Sequence, residues 1–200
     1  GEEVDAIGYF YLFSDTVKTI NIPKGIVFGA GLISWDGYMR FNSTTNLEEI
    51  VVEKGHSSYW SQDGVLFQGF NLCLYPPAKK DEEYILPDDI DVIEVGAIAQ
   101  QKYLKSLTIT QEVSLIYEHS IPTTLENLYF YTEENLYSNL REQYWSSENG
   151  YSYVEMPRVP NGTIHCIEGS ELHSFYQDKA SYYKDLEVLK DELVKKENGF

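Results

Sequence analysis

The chain has 200 residues, with 32 acidic against 15 basic side chains, a formal net charge of −17, and 42% hydrophobic and 14% aromatic residues. That content is enough to bury a core and excludes disorder as a description of the whole chain. So acidic a surface repels phosphate, which excludes direct nucleic-acid contact and disfavours anionic membranes, and no apolar run reaches the roughly 20 residues that span a bilayer.

In chain order, Ala6-Ile7-Gly8-Tyr9-Phe10-Tyr11-Leu12-Phe13 is nearly continuous in apolar character and predicts a strand buried on both faces. Ile20 to Ser34 predicts a second strand, with Pro23 at its start, where no ladder donor is missed. Thr45-Asn46-Leu47-Glu48 has capping-box spacing, and with Leu47, Ile50 and Val51 it predicts a short helix closed by Gly55. Val65 to Tyr75 reads as one strand ended by Pro76-Pro77. The charged, proline-containing loop 78–91 then joins sub-units 1–77 and 92–200 of a single domain. Ile93 to Ala99 and Val113 to Tyr117 predict further strands.

Glu126-Asn127-Leu128-Tyr129-Phe130 looks like part of a purification-protease site, but Tyr131 stands where Gln is required, so the segment reads as native. Thr132 predicts the cap of a helix carrying Glu133 and Glu134 at its positive end and Leu136, Leu140 and Tyr144 on one face. Thr163-Ile164-His165-Cys166-Ile167 is strand-like. A last helix is expected from about Lys179 to Asn198, with Tyr182, Leu186, Leu189 and Leu193 as its apolar stripe and Gly199 closing it. Its five Asp and Glu and five Lys read as a solvated face. No repeat of solenoid period is evident. The set predicts an α/β (α+β) protein with mostly antiparallel sheets and a few helices.

Cys73 and Cys166 lie in apolar runs with no CxxC or zinc spacing, which reads as two buried free thiols in a reduced, cytoplasmic protein. The chain starts at Gly1 with no signal peptide, the pattern of a segment cut from a longer protein. Asn42-Ser43-Thr44 and Asn161-Gly162-Thr163 fit the glycosylation pattern and read as chance matches without a secretory signal.

There are 17 Tyr, 9 Phe and 3 Trp, and aromatic faces attract cations by about 0.5–2 kcal/mol per contact. Tyr9, Tyr11, Trp35, Tyr38, Trp60 and Tyr153 are candidates for a ligand-binding wall, against the plainer reading of ordinary strand aromatics. His56, His119, His165 and His173 are scattered, and His165 and Cys166 are strand neighbours that point to opposite faces. Asp88, Asp89 and Asp91 lack the Gly and terminal Glu of a calcium loop and read as a solvated turn. No nucleophile motif, phosphate loop or dinucleotide fingerprint is present. No catalytic residue, metal or cofactor is assigned.

Val159-Pro160-Asn161-Gly162 leading into Thr163-Ile164-His165-Cys166-Ile167, then Tyr182-Tyr183-Lys184-Asp185-Leu186 and Glu197-Asn198-Gly199-Phe200, resembles a unit of the gyrase-inhibitor-like effector-binding domain. That domain is the ligand-sensing half of MerR-type and AraC-type regulators. Ile22-Pro23-Lys24-Gly25 looks like the opening of a second unit, and Asp5-Ala6-Ile7-Gly8-Tyr9 looks like the later strands in permuted order. The resemblance implies two β-α-β-β units around a cleft. It further implies a lipophilic or cationic ligand held by stacked aromatics and a carboxylate, for which Glu94 in Asp91-Val92-Ile93-Glu94-Val95 is the candidate.

The expected function is therefore a small-molecule sensing or binding module, the effector domain of a regulator or a stand-alone relative. An acidic interaction or inhibitor module engaging a basic partner is the first alternative. A hydrolase using a carboxylate pair is the second. A protein partner or a homodimer is compatible with each.

Overall fold

Ser106-Leu107-Thr108-Ile109 and Asn127-Leu128-Tyr129-Phe130 alternate half-exposed and buried positions, the period of strands with one face on a core. The same alternation recurs at Glu49-Ile50-Val51-Val52 and Glu83-Tyr84-Ile85. The computed structural model describes residues 6–7, 14–28, 44–110, 113–117, 120–131, 159, 162–179 and 188–189.

Among these residues the first strands are β1 (Ala6–Ile7), β2 (Thr19–Ile22), β3 (Val27–Phe28) and β4 (Glu49–Val52). β5 (Tyr59–Gln62), β6 (Val65–Gln68) and β7 (Asn71–Leu74) follow, then β8 (Glu83–Ile85), β9 (Val92–Ile93), β10 (Ser106–Ile109), β11 (Leu115–Ile116) and β12 (Asn127–Phe130). The rest are β13 (Thr163–Cys166), the helix α1 (Glu171–Lys179) and β14 (Val188–Leu189). The described part of the molecule is β-rich.

The second half is a stack. β8, β10, β12, β13 and β14 form one parallel sheet, while β7, β9 and β11 form a second parallel ladder that the chain visits in between. Ser106 lies in register with Glu83, 23 residues earlier, and Asn127 with Ser106, 21 residues earlier. On the other wall Val92 pairs with Asn71 and Leu115 with Val92, again 21 and 23 residues apart. Each coil of chain therefore rests on the one before it, as in repeat proteins whose units contact only their neighbours.

Between the two walls lies one core. Leu72, Ile93 and Ile116 meet Leu107, Ile109, Leu128, Phe130, Ile164 and Cys166 there. Full burial of each such aliphatic or aromatic side chain contributes about 1.5–3 kcal/mol. Gly162 is what allows β13 to approach β12. A Cβ there would sit 2.5 Å from the backbone oxygens of both Leu125 and Glu126.

The first half is held differently. β2 and β4 pair in parallel, but β5, β6 and β7 form an antiparallel meander. Asp63 and Gly64 (φ +50° and +78°) make the two-residue turn between β5 and β6, the Asp-Gly signature of a type I′ hairpin. A second core of Ile22, Leu47, Ile50, Tyr59, Leu66, Cys73 and Leu74 lies here. β6 serves both cores, with Val65 and Phe67 in one and Leu66 in the other. That is why three consecutive residues of this strand are buried.

Gln101 braces the junction. Its side-chain nitrogen donates to the carbonyls of Pro76 and Lys79, and its oxygen accepts from the backbone N–H of Tyr103 and Leu104. Lys102 donates to the Thr45 carbonyl across the same seam.

Several expectations are corrected. The sheets are mostly parallel, because neighbouring strands come from successive coils rather than from hairpins; among the described pairs only β5–β6 and β6–β7 are antiparallel. A stacking repeat exists after all. Its apolar positions are filled by residues as different as Tyr84, Leu107 and Leu128, and its spacing changes by two residues between coils, so it leaves no constant motif.

The helix expected after Thr45 is the strand β4, since Ile50 and Val52 point inward while Glu49 and Val51 are exposed. Val65 to Tyr75 is two strands separated by Gly69-Phe70. Within the expected C-terminal helix, Lys179 ends α1, Val188–Leu189 is a strand paired with β13, and the rest of that segment lies outside the described residues, as does the helix expected after Thr132. Stacked ladders stand in place of the paired β-α-β-β units. Cys73 and Cys166 are free, buried thiols as expected. Burial pushes the Cys73 thiol well above its ordinary range and that of Cys166 up to about 11.

Candidate functional site on the outer face of the parallel sheet

Strand alternation that sends Leu107, Leu128 and Ile164 into the core turns their neighbours to the opposite face, half-exposed at Ser106, Thr108, Asn127, Tyr129 and Thr163 but buried at His165. Because the ladder is parallel and in register, those neighbours line up in rows. One row is Glu83, Ser106, Asn127 and Thr163, and the next is Ile85, Thr108, Tyr129 and His165. None of these eight outward positions on β8, β10, β12 and β13 carries a Lys or Arg.

The rows are joined by aromatic stacking. The Tyr129 ring lies face to face with the His165 imidazole at 4.1 Å between centroids and 16° between planes. Tyr131, two residues on along the same strand direction, is nearly parallel to Tyr129 at 6.2 Å and 11°. The three ring planes thus lie roughly parallel on one patch.

Polar contacts set the protonation of this patch. Asn127 donates through Nδ2 to Ser106 Oγ at 3.5 Å, which leaves its Oδ1 to face His165 Nε2 at 2.9 Å. An amide oxygen only accepts, so Nε2 carries the proton and Nδ1 is a bare lone pair. That Nδ1 is buried and has no hydrogen-bond partner among the described residues, in a side chain of a residue only 8% exposed. Burial holds the imidazole below its ordinary range, so the ring is neutral at neutral pH. Burial, reinforced for Tyr129 by the Glu83 charge, pushes the Tyr129 and Tyr131 hydroxyls up and keeps them protonated.

Charge surrounds the patch without crossing it. Lys105 and Glu82 pair at 2.9 Å just before β10 and β8, with the Glu126 charge also acting on Lys105. Past the other end of the strands, Thr110 Oγ1 donates to Asp88 Oδ1 at 2.7 Å. The carboxylate of Glu83 opens the first outward row.

The residues singled out from the sequence fall elsewhere. Tyr9, Tyr11, Trp35, Tyr38 and Tyr153 lie outside the described residues, as does His119. Trp60, on β5, stacks on its cross-strand partner Phe67 at 4.1 Å and 14° and donates from Nε1 to the Gly69 carbonyl at 2.9 Å. Its ring is committed to packing. Glu94 follows β9, where Asn71 Nδ2 donates to its Oε1 at 2.6 Å and burial raises its carboxyl above the ordinary range. β7 and β6 separate it from Trp60, so the structure does not bring the two together.

Tyr129, Tyr131 and Asn127 were missed. The signal that could have found them is the alternation of Leu128 and Phe130 with polar or amphipathic neighbours. Among the described residues no group of His, Cys, Asp and Glu is placed to hold a metal ion, and no helix is long and apolar enough to cross a membrane.

No protein-family profile matches the chain, and no curated protein sequence matches it significantly. Solved structures are similar at low identity. The pneumococcal vaccine antigen PcpA aligns with 88% of this chain and 56% of its own length, at 15% identity and a TM-score of 0.41. A leucine-rich repeat protein from Eubacterium ventriosum aligns with 76% of this chain and 43% of its own, at 20% identity and a TM-score of 0.43. A leucine-rich cell surface protein from Faecalibacterium prausnitzii aligns with 62% and 32%, at 21% identity and a TM-score of 0.46. The chain spans about half of these proteins or less.

Proposed function

We propose that the chain is an acidic protein-recognition module that binds a basic partner across the outer face of the β8-β10-β12-β13 sheet. The observation that carries this reading is the register-aligned outer face itself, with Tyr129, Tyr131 and His165 stacked on it and no cationic side chain among its outward strand positions. Tyrosine supplies a large, rigid contact area at low entropic cost, and Ser, Thr and Asn supply adaptable hydrogen bonds, the composition that recognition surfaces favour. A net charge of −17 steers basic partners toward the chain and repels acidic ones.

The test is selection from a random peptide display library, followed by binding of the enriched peptides to charge-matched variants. Basic peptides are expected to enrich. Thr108→Arg, at the centre of the face, should weaken them at least about tenfold, or about 1.4 kcal/mol. Gln62→Arg, on the exposed end of β5, changes the net charge equally and should leave binding unchanged. Equal losses in both variants would reduce the interaction to net charge and remove the face from the reading.

A second reading, the small-molecule sensor, is favoured by one feature, the desolvated Glu94 carboxylate held by Asn71. Stabilisation by lipophilic cations that is abolished by Glu94→Gln would bring it forward.

A further inference from the structure

We infer that the Tyr129–His165 patch takes the guanidinium group of an arginine from the basic partner, in preference to the ammonium of a lysine. This deepens the reading above and rests on it. Three features of the patch select a planar donor-rich cation.

The first is the set of parallel rings. A delocalised, flat guanidinium stacks on tyrosine and histidine faces while its edge stays free to hydrogen-bond, whereas a compact ammonium does not stack. Tyr129 and Tyr131 offer such faces within 11° of one another, and His165 continues the arrangement.

The second is the orphaned acceptor. The Asn127 contact places the imidazole proton on Nε2, so the chain itself leaves Nδ1 without a donor among the described residues. An unanswered buried acceptor costs about 1–3 kcal/mol. Nδ1 is itself shielded from solvent, so an arginine, with five N–H groups in one plane, reaches it only as the side chains covering it move aside.

The third is charge. The imidazole contributes no positive charge to repel the ligand, and Glu83 stands close enough to raise the Tyr129 hydroxyl. Its carboxylate is the countercharge for an arginine lying along the rows. The hydroxyls of Ser106, Thr108 and Thr163 supply further acceptors at outward positions.

The experiment compares three capped peptides of equal length on the full chain, alternating serine with arginine, lysine or citrulline. Citrulline keeps the planar shape of arginine and part of its donor set, with a carbonyl in place of one NH2 and without its charge. The arginine peptide should bind about tenfold more tightly than the lysine peptide, with citrulline weakest, because charge and planarity are both used. Tyr129→Thr should erase the arginine preference, and His165→Phe, which keeps a stacking ring but removes the acceptor, should reduce it.

Equal binding of the arginine and lysine peptides to the unaltered chain would overturn the inference while leaving the basic-partner reading intact. Failure of both peptides to bind would overturn that reading as well. The arginine-to-lysine ratio needs no variant, so a misfolded substitution does not obscure the result.

Discussion

The two halves of the described structure solve the same problem by different means. In the meander of β5, β6 and β7, the pairing Gln62 with Val65 closes across two residues, and Asp63-Gly64 decides it locally. In the stack from β8 onward, each strand finds its partner 21 to 36 residues away, with no tight turn to dictate register. There the register comes from apolar side chains meeting between two walls, since a slip of one residue would turn a whole row outward. The contrast teaches that a hairpin is specified by its turn and a stack by its core. Among the described residues the stack aligns outward residues from four strands in rows, a surface of repeated chemistry.

Core truncations test that contrast most strongly. Leu128→Ala, in the stack, and Leu66→Ala, in the second core, both remove fully buried side chains and should each cost about 3–4 kcal/mol in denaturant unfolding. Since β6 contributes to both cores, one shared transition is expected in each variant. Two separated transitions would show the halves to be independent.

Gly162→Ala comes next. Its Cβ would meet rigid backbone oxygens, so the loss should be about 2–3 kcal/mol, and amide exchange should rise at β12 and β13 while β5 and β6 stay protected. Gly64→Ala, at φ +78° and with its Cβ 2.9 Å from that of Glu49, should cost about 1–2 kcal/mol and produce the reverse exchange pattern.

Proton linkage gives a finer probe. Burial lowers the His165 imidazole from its ordinary 6.5, so below that value the unfolded chain binds more protons and stability falls as pH falls. The thermal midpoint should therefore drop more between about pH 7 and about pH 5 in the parent chain than in His165→Gln. Glu94 has the opposite sign, because burial raises its carboxyl above 4.5 and its penalty grows as pH rises through that raised value. Glu94→Gln should be neutral or stabilising near pH 7.

The smallest effect belongs to the surface ion pairs. Lys18–Glu48 and Lys105–Glu82, each at 2.9 Å and exposed, should have no measurable influence on the midpoint when one partner is neutralised.

Much of the local structure was legible in the residues. The strand end before Pro76-Pro77, the strand Thr163–Cys166 and the two buried thiols follow from short-range apolar pattern and proline chemistry. The segment around Ile50 was not legible, because Leu47, Ile50 and Val51 satisfy a helical spacing as well as β4 satisfies alternation. The candidate site was legible only as an abundance of tyrosine and an excess of acid.

Composition and charge by themselves determined a chain with enough apolar side chains to bury a core and a strongly acidic net charge. Which tyrosines share a face, and that His165 lies on Tyr129 with Asn127 fixing its proton, was decided by tertiary structure alone. Those groups sit on strands drawn from separate coils, 36 residues apart in the case of Asn127 and Thr163. Residues that distant are brought together by the burial of Leu128 and Ile164 beneath them, and no local pattern records that contact.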